Sequence, residues 1–189
     1  SIIAIALATR PLWRRRRPTE NGVREQDGQS ATTAFLEGAL KGSYRSLLQA
    51  VEDLSQEDLE WRPYPQAPSA GFLLWHVARV QDALLHRQLL GRTELWITQG
   101  WAQRFHLPAF GLGEDHSDEH VGEFHVPPKE DLLAYVDASY GAVLHSLQSP
   151  GPDSWTLAND AGTERARYLV TLVNHANMHA GAISYIAQL

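Results

Sequence analysis

The feature that most constrains this chain is a pair of histidines four residues apart, His175 and His179, in the run Asn174-His175-Ala176-Asn177-Met178-His179-Ala180. On an α-helix that spacing stacks both imidazoles on one face. Leu169, Leu172, Ala176, Ala182, Ile183 and Ile186 fall at helical intervals along the same stripe. The chain therefore takes two ionisable rings into an apolar face. They are either core histidines with hydrogen-bonded nitrogens or two ligands of a buried metal.

Three further segments carry helical periodicity. Residues 32–54 place Phe35, Leu36, Ala39, Leu40, Leu47, Leu48 and Val51 on one face, with Ser30 or Thr32 as a cap. Residues 70–90 begin after Ser69, a good N-cap, and stop before Gly91, a good residue just past a helix end. Their stripe is Leu73, His76, Val77, Val80 and Leu84, which makes His76 a third histidine on an apolar face. Residues 129–147 follow Pro127-Pro128 and present Leu132, Leu133, Val136, Tyr140, Val143 and Leu147. The last helix is expected from a cap at Thr163 to about residue 188. No strand periodicity appears, so the expected fold is all-α, a four-helix bundle. The connections after the first and second helices are long, which favours crossover connections over a simple up-down order.

Composition removes several functions. With no cysteine, the chain can hold no disulfide and has no thiol nucleophile or thiolate ligand of its own. A net charge of −6 argues against nucleic acid as a partner. Residues 1–30 are different: six arginines against three acids give them +3, leaving −9 for the rest. The apolar run 2–8 is far too short for a membrane span, which needs about 20 residues. Residues 1–30 read as a basic, disordered tail with a polar linker from 18 to 30, and residues 31–189 as one domain. A cytoplasmic location is expected.

Three inward histidines from two helices would give three nitrogen ligands and leave one position open, the arrangement of a catalytic zinc-type site. Imidazole also suits nickel, iron and copper. Position 176 is Ala, so the Glu of the zincin motif H-E-x-x-H is missing and a peptidase of that type is disfavoured. Nearby polar residues are weaker candidates. Asn174, Asn177 and Asp82 are either partners of a ligand imidazole or solvated helix-face residues, the latter preferred. Arg79 and Arg165 are either carboxylate-recognising or surface residues, again the latter preferred. Glu114 and His116, in the long 92–128 connection, either reach over the site or form an exposed turn, with the turn preferred. Trp75, Trp96, Trp101 and Phe105 either line a pocket or cover the bundle end.

Two stretches carry a family resemblance. Leu73-Leu74-Trp75-His76-Val77-Ala78-Arg79-Val80-Gln81-Asp82 resembles the second-helix motif of the DinB-like (DinB/YfiT) four-helix bundle family. The stretch from Tyr168 through His175 and His179 to Ala182 resembles its C-terminal histidine motif. The resemblance covers about residues 31–189. It implies a divalent metal, nickel or zinc, held by His76, His175 and His179. Subfamily likeness to mycothiol-transferase-like members implies an enzyme that uses a low-molecular-weight thiol, such as mycothiol or bacillithiol, on a small electrophilic substrate. The alternatives are a non-catalytic metal-binding or interaction bundle and a metal-dependent hydrolase. A homodimer is expected from the resemblance and from how common two-fold dimers are.

Overall fold

The computed structural model describes residues 20–113, 123–149 and 160–189, with side chains described from residue 31 onward and, in the last segment, from residue 165. Residues 1–19, including the Arg14–Arg17 run, lie outside the described residues, as do Glu114 and His116. Helix α1 spans Glu20–Val51, α2 Gln56–Glu60, α3 Ala70–Asp82, α4 Leu95–Thr98, α5 Trp101–Arg104, α6 Lys129–Gln148 and α7 Asp160–Ile186. A π-helical segment, Ala83–Leu89, continues α3. No strand occurs among the described residues. None of their helices is long and apolar enough to cross a membrane.

The long helices α1, α3, α6 and α7 form the bundle. Helix α1 packs on α7 and α6, and α3 packs on the same two from the other side. Consecutive long helices, α1 with α3 and α6 with α7, therefore face each other across the diagonals. This is a crossover bundle, but the crossings come after the first and third long helices. The longest connection, between α3 and α6, joins neighbours, so its length is free to build a cap over one end of the bundle.

Local chemistry sets the helix ends. Ser69 caps α3, its Oγ accepting from Phe72 N at 3.1 Å. Ser55 and Asp58 form a reciprocal capping box at α2. Gly91 has φ +60°, as expected of the residue that ends the α3 segment. Helix α1 begins at Glu20, well before the expected start at residue 32, and takes in residues read as linker. No proline interrupts residues 20–51, and Gly22 and Gly28 each cost a helix only about 1 kcal/mol.

Helix α3 is buried almost all round rather than along one stripe, with Ala70–Arg79, Gln81 and Asp82 all buried. It is the axis of the molecule. One core cluster surrounds its first half and includes Phe72, Trp75, Trp96, Trp101, Phe105, Tyr135, Ala176, Ala180 and Ile183. A second, at the opposite end, joins Leu40, Leu85, Val143, Leu147, Leu169 and Leu172.

Candidate metal centre

His76 projects from the middle of α3, and His175 and His179 project from successive turns of α7. Because α3 and α7 pack together, the three rings meet. His175 Nε2 lies 3.1 Å from His76 Nε2 and 3.1 Å from His179 Nε2. The ring centroids are 4.4–5.1 Å apart. The three form the group able to hold a metal ion among the described residues. Two nitrogens each about 2.0–2.1 Å from one tetrahedral ion would be about 3.3 Å apart, close to the observed spacing.

The protonation pattern fits a shared cation. His76 Nδ1 hydrogen-bonds to the Leu112 carbonyl. A carbonyl oxygen can only accept, so Nδ1 carries the hydrogen and Nε2 of the neutral ring presents a lone pair to the cluster. Burial first, then the neighbouring His179 and His76, pushes the His175 imidazole down to about 4. It is therefore neutral at pH 7 and keeps a lone pair. One hydrogen on His175 Nε2 can serve only one of its two neighbours, whereas a single cation serves all three nitrogens. His175 Nδ1 is buried without a hydrogen-bond partner.

The other sequence candidates separate cleanly. Asn174 and Asn177 are exposed on the outer face of α7, and Arg165 is half-buried well up the same helix. Arg79 and Asp82, expected at the surface, are fully buried. The Asp82 carboxylate accepts from Leu95 N at 2.8 Å and Trp96 N at 2.7 Å, and so caps α4, which Glu94's own side chain does not. It also accepts from Tyr135 Oη at 2.9 Å and pairs with His86 Nδ1 at 2.8 Å. Asp82 is thus no partner of the triad's imidazoles but the anchor of the α3–α6 connection.

Trp96, Trp101 and Phe105 pack with Tyr135 in edge and tilted contacts and cover the bundle end. Trp75 alone of the four candidates lines a cavity of about 440 Å³, together with Phe72, Phe110 and Phe124. Gly111, Leu112 and Gly113 form part of its wall. Leu112, two residues before the Glu114 that was expected to lie in an exposed turn, is buried. The Leu112 carbonyl is a site component that sequence reasoning missed. A backbone atom leaves no residue-type signal, although the two flanking glycines mark an unusual backbone.

The sequence profile of the DinB superfamily matches residues 39–183. The chain belongs to the DinB superfamily. Divalent-metal binding is a property of that superfamily, and the triad is where this member's two histidine motifs converge. Among solved structures, a conserved protein from Enterococcus faecalis is similar to the DinB chain described here, with a TM-score of 0.68 at 23% identity. The match covers 82% of this chain and 95% of that one, and it establishes likeness of fold. Among curated proteins none matches.

Proposed function

We propose that this DinB-superfamily protein holds a divalent ion, zinc or nickel, on His76, His175 and His179, and works as an enzyme of the thiol S-transferase type. The observation that carries the reading is the convergence of three imidazole nitrogens from two helices, with the hydrogen of His76 directed from Nδ1 to the Leu112 carbonyl. Three protein ligands leave a position for an exogenous group. A divalent ion there supplies the positive charge that favours the thiolate form of an incoming thiol at neutral pH.

The chain's own residues do the rest. His175, kept neutral by burial, donates without first losing a proton. The absence of cysteine means that the reacting sulfur comes from a small thiol such as mycothiol or bacillithiol. The aromatic cavity beside Trp75 and Phe72 has the size and lining of a small-molecule site and suits a largely apolar electrophile. In the reaction the sulfur bonds to the electrophilic carbon, and the leaving group departs with its bonding pair.

The test has two stages. Elemental analysis of the tag-free protein should find about one zinc or nickel per chain, lost in a His76→Ala/His179→Ala variant. The metal-loaded protein should then consume bacillithiol or mycothiol in the presence of chlorodinitrobenzene faster than the metal-stripped protein. No metal after incubation with zinc and nickel would overturn the reading. Metal without thiol consumption would leave a metal-binding bundle, a reading that the bridging of α3 to α7 by the triad independently favours.

A further inference from the structure

Arg79 is a fully buried arginine. It lies one helical turn after His76, so both side chains leave α3 on the same side. The Arg79 guanidinium is gripped from several directions. Nη1 is 2.8 Å from Glu94 Oε2 and 3.2 Å from Tyr135 Oη, which accepts from it. Its carbon stands 4.7 Å over the Trp96 ring. The other arm, Nη2, donates to the Gly111 carbonyl at 3.1 Å. The next carbonyl along the chain, that of Leu112, is the one that meets His76 Nδ1. Two residues of one helix thus hold consecutive carbonyls of one strap.

The strap lies close against α3 in a conformation that its glycines permit. Gly111 has φ +104° and Gly113 φ +76°, backbone conformations that favour glycine. A Cβ on Gly113 would come within 2.9 Å of the Phe72 and Trp75 rings and 3.4 Å of His76 Nδ1.

We propose that Arg79 is a positioning residue for the metal centre: through Gly111 it fixes the Leu112 carbonyl, and that carbonyl sets the tautomer and ring orientation of His76. The effect on a bound ion rests on the proposed metal reading, whereas the effect on the His76 tautomer does not. Lysine cannot reproduce the role. Its single ammonium has no planar fork to hold Glu94, Tyr135 and the Gly111 carbonyl together.

The experiment compares the full-length wild type with Arg79→Lys, Gly113→Ala and a Tyr44→Phe control, which removes a contact to Asp137 on the other side of the bundle. Two readouts are taken. The first is the His76 tautomer in metal-stripped protein, from nitrogen-15 NMR, with the signal assigned by its loss in His76→Gln. The second is cobalt(II) affinity and the visible cobalt spectrum.

The wild type should show His76 with its hydrogen on Nδ1. Arg79→Lys and Gly113→Ala should show a mixture of tautomers, bind cobalt about 10- to 100-fold more weakly, and shift the cobalt bands. Tyr44→Phe should lower the unfolding midpoint and leave both readouts unchanged. If Arg79→Lys does not fold, Gly113→Ala carries the test from the strap side. Folded variants with wild-type tautomer and wild-type cobalt affinity would overturn the positioning role. A wild type that fixes the tautomer but binds no cobalt would instead sink the metal reading and leave the positioning of His76 standing.

Discussion

Asp82 shows how much one buried carboxylate can organise. Fully buried itself, it accepts from two backbone N–H groups at the start of α4, from a tyrosine hydroxyl and from a histidine. Asparagine at this position keeps one acceptor but turns an amide N–H₂ toward groups that are themselves donors. Asp82→Asn should lower stability by about 2–4 kcal/mol in urea denaturation, because buried donors lose their partner; a loss under about 0.5 kcal/mol would show that the connection is held by its aromatic packing instead. The pair also titrates. Burial alone would raise the Asp82 pKa, but the hydrogen bonds from His86, the Trp96 and Leu95 amides and Tyr135 outweigh it and hold the carboxyl below its ordinary 3.8. Its contribution is complete above 3.8 and is lost as pH falls through the lower folded value. His86 is raised above its ordinary 6.5 by the hydrogen bond to Asp82, against the opposing effect of burial. Its contribution is complete below 6.5 and is lost as pH rises through the raised folded value. The unfolding midpoint should therefore decline from pH 6 to pH 9 more steeply in the wild type than in His86→Asn; equal slopes would mean that the ion pair adds nothing.

Among the elements, α3 demands most of its sequence, and the glycines report it. Gly71 sits in its first turn, where a Cβ would lie 2.4 Å from Val126 Cγ1 and 2.9 Å from the Leu59 carbonyl. Alanine favours a helix by about 1 kcal/mol over glycine, yet here overpacking of about 1–3 kcal/mol opposes it. Gly71→Ala should lower the denaturation midpoint, whereas Gly181→Ala on α7, with nothing within 4 Å of its Cβ, should raise the midpoint, stabilising the fold by about 0.5–1 kcal/mol. A Gly71→Ala variant with a raised midpoint would mean that Val126 and the Leu59 carbonyl yield to the added methyl and that helix propensity wins. The same contrast explains what the sequence could disclose. The inward positions of His76 and His175/His179, the Ser69 cap and the Gly91 stop follow from local patterns, and each is where the sequence placed it, although α3 is buried beyond its expected stripe. The π-helical turn after Asp82 carries no local signal. Nor does the burial of Arg79 and Asp82, because two charged residues on a helix look solvated until Glu94, Tyr135 and the α4 amides arrive from distant segments. Trp96, Trp101 and Phe105 were equally ambiguous. An aromatic in a long connection can line a pocket or seal a core, and only their contacts with Tyr135 on α6 decide for the core.

At the scale of the whole molecule, the triad ties together the two helices that no short connection joins. Helices α3 and α7 are separated in the chain by α4, α5 and α6, and His76 meets His175 across 99 residues of sequence. An ion held there acts as a cross-link present only in the folded state, since an unfolded chain does not bring the three nitrogens together. Binding to the folded state alone stabilises it by about 2.7 kcal/mol when free metal is a hundred times its dissociation constant. For a domain of this size each kcal/mol moves the thermal midpoint by about 2–4 °C. Stripping the metal with a chelator should therefore lower the midpoint by about 5–10 °C, and adding zinc or nickel should restore it in a concentration-dependent way. His179→Gln should unfold near the chelated wild type and respond to neither treatment. The position makes the distinction sharp: His76 is buried, His175 and His179 are half-buried, and Ala176 and Ala180 beside them belong to the aromatic core cluster, so a cation that left the midpoint unmoved would have to bind somewhere other than between these two helices.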